Sequence, residues 1–306
     1  MKRFLLKALM RIVSWLPLCV HHFNAHIIGW LARCVVRYRR KIVWDNIDKA
    51  FPEKTLKEKK KIFRGFYLHF GQIITEAIWF GGSGARRIRR SRIATVVNPD
   101  ELDRIAALPA SAMFVSAHCG NWEILPGFPW FDYGGKTPPQ TAANTVNVYK
   151  RLSDPVWDDI MKDNRIHALG SSYEPHYVES SSILRYVLEH KEEKLNYFFC
   201  TDQWPYGISK GWTTVTFMHR KTRSMTAAAA LARKLGMPIV YLSITRGPRH
   251  KKYVIEIKTI ADDARTLTEQ QIIEKYYKLI EEDICADPAN YLWSHRRWHK
   301  LPDNEQ

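Results

Sequence analysis

Ala112-Met-Phe-Val-Ser116, then Ala117, then His118-Cys-Gly-Asn-Trp-Glu123 is the stretch on which the fold of this chain is decided. Its first five residues carry no charge and read as a short buried strand, and Gly120 and Asn121 beyond it suit a tight turn. His118 falls just past the strand's end. From about residue 94 the pattern alternates. Candidate strands cover 111–117, 139–146, 195–200, 213–217, 238–244 and 252–259, and candidate helices cover 99–107, 154–163, 179–190, 224–235 and 268–284. The alternation predicts an α/β fold with a central, mostly parallel sheet flanked by helices, whose active residues gather beyond the carboxyl ends of its strands.

The N-terminal part reads differently. The net charge of +16 lies wholly in residues 1–92, where 21 Lys and Arg face five Asp and Glu; the rest of the chain holds 26 of each sign. Such a block binds polyanions, either nucleic acid or an anionic membrane face. Within it, Ile12 to Ala32 carries no formal charge, and Leu5, Leu6, Leu9, Ile12, Val13 and Leu16 form an apolar helical stripe ahead of Pro17. That length would span a bilayer. Pro17, His21, His22, Asn24 and His26 dilute it, however, and basic residues flank both ends. The expected arrangement is a helix lying on the surface or dipping into one leaflet, with membrane favoured over nucleic acid. Thr55 and Glu58 then form a capping box ahead of apolar positions at helical spacing from Ile62 to Ile78, and Gly81-Gly-Ser-Gly84 ends that helix. The expected division is a basic, helical membrane-anchoring region over 1–92 and a catalytic domain over 93–306. Five widely spaced cysteines without a Cys-x-x-Cys pair read as free thiols, not as a zinc site or disulfide frame.

His118 and Glu123 would make a general base and the carboxylate that orients it, as acyl transfer to an alcohol requires, because a hydroxyl is a poor nucleophile until its proton is removed. A lone His followed by a Glu is more often structural, so spacing alone leaves the role open. Cys119 reads as a small buried residue.

Further blocks make the pattern specific. His118-Cys-Gly-Asn-Trp-Glu123 resembles the H-x-x-x-x-[D/E] block of the glycerolipid acyltransferase superfamily, in the form found in the bacterial lipid A late acyltransferases. Arg39 to Glu53 resembles that family's N-terminal block, and Phe66-Tyr67-x-His69-Phe70 the helix after it. Val148-Tyr149-Lys150 with Arg165 resembles the second conserved region, Thr201-Asp202-Gln203 the third, and Gly236-Met-Pro-Ile-Val240 a later strand. Pro288 to Trp298 is similar to the C-terminal block. Lys150 stands where the family commonly has Arg, and Pro126 and Pro129 limit any helix after Glu123 to a short or kinked one.

The resemblance implies an acyltransferase that moves a fatty acyl chain from acyl carrier protein to a hydroxyl of a lipid A precursor. The site would face the cytoplasm on a bacterial inner membrane, with no metal or organic cofactor and no nucleic-acid partner. It implies a catalytic group of His118, Glu123, Arg165 and Asp202. Arg165 would pair with Glu123 or meet a phosphate, and Asp202 would hold that Arg or shape an oxyanion site. Substrate contacts are expected at Asn121, Tyr149, Lys150, Gln203, Arg296 and Arg297. Alternatives are O-acylation of a lysophospholipid or aminolipid by the same machinery, or a non-catalytic basic protein that binds membranes or nucleic acid. A hydrolase activating water at His118 and Glu123 is a further one, unsupported by any Gly-x-Ser-x-Gly elbow.

Overall fold

Pro17 divides the apolar N-terminal stretch into two helices, α1 (Lys2–Ser14) and α2 (Leu18–Trp30), because its ring fixes φ and removes a donor where a continuous helix would need one. The structure, a computed structural model, describes residues 2–170, 176–205, 212–247 and 252–299, with the side chains of Lys2 and Arg3 outside that description. A π-helical turn over Leu31–Val35 leads to α3 (Arg40–Ala50) and then the long α4 (Leu56–Gly81), which starts on the expected capping box with both reciprocal bonds present. The short α5 (Ala85–Ser91) carries the arginine run. Among the described residues no helix is long and apolar enough to cross a membrane.

Two glycines let α2 lie directly on α4. A Cβ on Gly71 would come within 2.2 Å of the Ala25 carbonyl oxygen, and one on Gly29 within 2.5 Å of the Tyr67 carbonyl oxygen. Backbone atoms cannot swing aside as a side chain can, so the two helices can meet only where a side chain is missing.

The sheet begins with β1 (Ala94–Val96) and, after α6 (Asp100–Ala107), takes up the decisive strand β2 (Ala112–Ser116), whose five residues are all buried. There follow β3 (Thr145–Tyr149), α7 (Pro155–Leu169), β4 (Tyr177–Glu179), α8 (Ile183–Glu189) and β5 (Asn196–Cys200). The hairpin β6 (Trp212–Phe217) and β7 (Arg220–Met225), α9 (Ala227–Leu235), β8 (Ile239–Arg246), β9 (Tyr253–Ala261) and α10 (Glu269–Ala286) come next. Among the described residues seven strands form one sheet in the order β1-β9-β8-β2-β5-β3-β4, in which only the β8–β9 pair is antiparallel. The α/β expectation therefore holds, and β2 is the central strand.

Some elements differ from expectation. The segment 213–217 is a strand, but it pairs with β7 in a separate two-stranded hairpin outside the main sheet. β7 itself, Arg220–Met225, is so polar that its alternation carries no apolar signal. β1 and β4 are three residues each, below the length at which periodicity is readable. After Glu123 the two prolines limit the chain to a 3₁₀ segment, Trp122–Trp130. The N-terminal helices share the sheet's core: Val43, Ile47, Phe66 and Tyr67 pack in one cluster with Met113, Val115 and Tyr241.

Gly71→Ala tests the α2–α4 contact. The added methyl should cost about 1–3 kcal/mol, the usual range for overpacking, and thermal denaturation should show a clearly lowered melting temperature. An unchanged melting temperature would mean that α2 does not sit on α4 at this distance.

Candidate active site

Parallel register brings the site together. Ser116 of β2 lies opposite Cys200 of β5. Two residues further along each strand, at the carboxyl ends, stand His118 and Asp202. The Asp202 carboxylate oxygen Oδ1 lies 2.5 Å from His118 Nδ1 and also accepts the His118 backbone N–H at 3.1 Å. An acceptor that sees only a donor nitrogen assigns the imidazole proton to Nδ1, leaving Nε2 with a lone pair. The other side agrees: the Gln203 amide nitrogen Nε2 lies 2.9 Å from His118 Nε2, as an N–H donating to that lone pair does. Burial alone would raise Asp202, but the His118 ring and its bonds, with the Arg297 charge, hold the carboxyl down at about 2. The carboxylate is therefore charged throughout the physiological range.

The expected partnership of His118 with Glu123 is corrected by this geometry, because Asp202 orients the imidazole. Glu123 turns the other way and takes a bidentate fork from Arg165, Nε to Oε2 at 2.7 Å and Nη2 to Oε1 at 2.8 Å. The Trp122 indole also donates to Glu123 at 3.1 Å, and Arg165 Nη1 donates to the Tyr177 hydroxyl at 2.6 Å. Burial would lower the Arg165 guanidinium, yet Glu123 and Tyr177 raise it above its ordinary value. Arg165 thus pairs with Glu123, as one expectation had it, and Asp202 does not hold it. The two groups meet across Trp122, whose ring stands edge-on to His118 with centroids 4.7 Å apart.

The turn carrying His118 is held from beneath. Gly120 has φ +62°, and a Cβ there would lie 2.3 Å from the Ile244 methyl Cγ2, so only glycine fits. Its N–H reaches the backbone and side-chain oxygens of Asn290, and its carbonyl accepts from His69 Nε2 at 3.0 Å. Complete burial pushes His69 down to about 3, which keeps that imidazole neutral. The Leu292 N–H donates to the His118 carbonyl, and Cys119 bridges Tyr291. The C-terminal block is therefore a brace for the turn that carries His118. Asn46 of the N-terminal block ties that brace down by donating to the Trp293 and His295 carbonyls.

The remaining expected residues sort by place. Asn121 is 1% exposed and caps the 3₁₀ segment by accepting the Glu123 N–H, so it shapes the turn from inside and does not face a substrate. Arg297 is also corrected: it is 1% exposed, donates to Thr222 and Tyr277, and acts on Asp202 as a buried charge. Tyr149 stacks on Tyr177 at 4.3 Å and so reaches Arg165 at one remove. Gln203 bonds Nε2 of His118, while Lys150 and Arg296 are exposed. Tyr177, Trp122 and Cys200 were not anticipated. The Cys200 sulfur lies 3.2 Å from Nδ1 and 3.7 Å from Nε2 of His118. The sulfur thus lies against the ring, and the ligand atoms of His118, Cys200 and Asp202 all fall within 4.8 Å of one another. Burial raises the Cys200 and Cys119 thiols well above their ordinary value.

The α/β sheet sets an Asp-oriented histidine at the carboxyl end of its central strand, with Nε2 on the side away from Asp202. The sequence matches the family of bacterial lipid A biosynthesis acyltransferases over residues 1–150 and 190–300, and the chain belongs to that family. It is an acyltransferase. It is 23% identical over 283 residues to the lipid A biosynthesis lauroyltransferase of Escherichia coli (strain K12), covering 90% of this chain and 84% of that one. It is 22% identical over 292 residues to the lipid A biosynthesis palmitoleoyltransferase of the same organism and to the lipid A biosynthesis acyltransferase of Shigella flexneri. Both matches cover 95% of this chain and 88% of the relative.

The His118–Asp202 pair is testable by a double-mutant cycle. His118→Ala should lower kcat by about 10²–10⁴-fold, the usual worth of a general base. Asp202→Asn should lose a large share of the same factor, and the double variant little more than His118→Ala alone, since residues acting as one unit are non-additive. Strictly additive losses would separate Asp202 from the base.

Proposed function

We propose that this chain transfers a fatty acyl group from acyl carrier protein to a hydroxyl of a lipid A precursor, at the cytoplasmic face of the inner membrane. The observation that carries the chemistry is the Asp202–Nδ1 bond, which leaves Nε2 of His118 as a lone pair. The acceptor hydroxyl replaces the Gln203 amide at Nε2 and gives up its proton there, and its oxygen attacks the carbonyl of the carrier's thioester. Asp202 stabilises the imidazolium so formed. The carbon–sulfur bond then breaks, and the departing thiolate takes the proton from Nε2, which restores the neutral ring. Glu123 and Arg165 are positioning residues in this reading: their fork fixes the segment after Asn121, and with it the wall that Trp122 presents to His118. Relatives named as lipid A lauroyl- and palmitoleoyltransferases support the acceptor and the acyl class.

Membrane attachment is supported by the orientation of α1. Its polar side docks on the protein: Lys7 pairs with Asp159 at 2.7 Å, and Arg11 donates to the Gly81 carbonyl. Its apolar side faces out, with Leu5, Leu9 and Ile12 all more than half exposed. A helix in water buries the opposite face, so an outward apolar stripe calls for a lipid surface. Arg87 donates to the Ser14, Trp15 and Leu16 carbonyls and locks the end of α1 beside α5, where Arg86, Arg89 and Arg90 stay exposed to meet anionic headgroups.

Mass spectrometry of total lipid from cells with and without the protein should show one acyl chain added to lipid A. A shift confined to phospholipid or aminolipid, or no shift, would overturn the lipid A acceptor. For attachment, Leu9→Glu with Ile12→Glu should leave the melting temperature unchanged and move the protein off vesicles of phosphatidylglycerol and phosphatidylethanolamine. Residual binding should weaken with salt, because exposed charges are screened beyond about 8 Å at physiological ionic strength. Flotation equal to wild type would exclude α1 as the lipid contact.

A further inference from the structure

Glu76, on α4, is completely buried, and none of the chemistry described above uses it. A buried carboxylate is costly unless its oxygens are bonded. Here they are bonded to three different parts of the chain. Oε1 lies 2.9 Å from His22 Nε2 on α2. Oε2 accepts from the Asn121 amide at 2.9 Å and from the Tyr253 hydroxyl of β9 at 2.8 Å. Asn121 in turn accepts the Glu123 N–H at 3.1 Å. Two bonds from Glu76 in one direction lies the catalytic turn; one bond in the other lies a helix that shows Phe23 and Trp30 to the outside, 67% and 53% exposed. Because Gly71 and Gly29 hold α2 against the α4 backbone, α2 cannot shift without carrying His22 with it.

We propose that Glu76 is a positioning residue that couples α2, seated on the bilayer, to the turn Cys119–Glu123, so that membrane docking tightens the catalytic site. This rests on the membrane reading given above for α1, extended to α2 by its exposed Phe23 and Trp30. When α2 presses into the lipid surface, His22 holds the Glu76 carboxylate in the rotamer that engages Asn121. Asn121 then fixes the Glu123 amide, and the Arg165 fork and the Trp122 wall follow. A bilayer-bound acceptor thereby meets a site that is held most tightly at the surface where the acceptor resides. A purely structural carboxylate would bind Asn121 and Tyr253 equally well with α2 absent from lipid, so dependence on vesicles separates the two roles.

The test uses the full chain and vesicles of phosphatidylglycerol and phosphatidylethanolamine. Flotation reports attachment; amide exchange in the peptide covering Cys119–Ile124 reports the coupling without needing turnover. In wild type, exchange there should slow ~3-fold or more when vesicles are added, as a local opening becomes rarer. His22→Ala should float like wild type, lose that vesicle-induced slowing, and in acyl transfer lower kcat ~10-fold with KM little changed. His22→Gln, which keeps a donor for Glu76, should restore both. Wild-type floating with no change in exchange, or His22→Ala slowing as wild type does, would overturn the coupling and leave the membrane reading standing. Wild type failing to float would remove both.

Discussion

One hydrogen bond between the ends of two parallel strands carries this site. His118 and Asp202 meet because β2 and β5 pair in a register that sets Ser116 opposite Cys200, and each chain continues two residues before turning. A slip of one residue would send either side chain to the opposite face of the sheet. Much of the buried structure protects that register: β2 is covered on both faces, and Phe114 stacks on Phe198 of β5 at 4.7 Å. The Tyr276 hydroxyl of α10 donates to the Ser116 carbonyl at the strand's last residue. Precision at the base is thus a property of the central sheet, and the loops around it are free to serve the substrates.

Charge is distributed on the same principle. Asp202 is buried but meets a ring nitrogen, a backbone N–H and the field of Arg297, so its ionised form is favoured where an isolated carboxylate would neutralise. Glu123 is satisfied separately by Arg165 and Trp122. Two carboxylates close to one histidine therefore do not compete, and only one sets the tautomer. The N-terminal helices add a second asymmetry. Lys7 and Arg11 of α1 engage Asp159 and the Gly81 carbonyl while leucine and isoleucine stay outside, and α2 lies against α4 through two glycines.

The central strand and the α/β alternation were legible in the sequence because each rests on short-range pattern: an apolar run, a capping box at Thr55 and Glu58, a turn at Gly120. The partner of His118 was not. Glu123 is five residues away and Asp202 is eighty-four, and only the strand register ranks the distant carboxylate above the near one. Arg297 and Asn121 looked like substrate contacts for a similar reason, since a polar residue inside a shared motif serves a ligand or the fold equally well until its burial is known. Glu76 lies in a helix whose apolar spacing is otherwise regular, and a single acidic residue there reads as an exposed position. Its three partners come from parts of the chain as far away as His22 and Tyr253, which no local pattern connects.

The protonation of the His118 ring tests the whole account most directly. In protein labelled with ¹⁵N at histidine, near neutral pH, the His118 signals assigned by comparison with His118→Ala should show a protonated Nδ1, with its proton shifted far downfield by the Asp202 carboxylate, and an unprotonated Nε2. A His118 ring protonated at Nε2 and bare at Nδ1 would contradict it, because Asp202 would then not orient the base and no lone pair would face the acceptor hydroxyl.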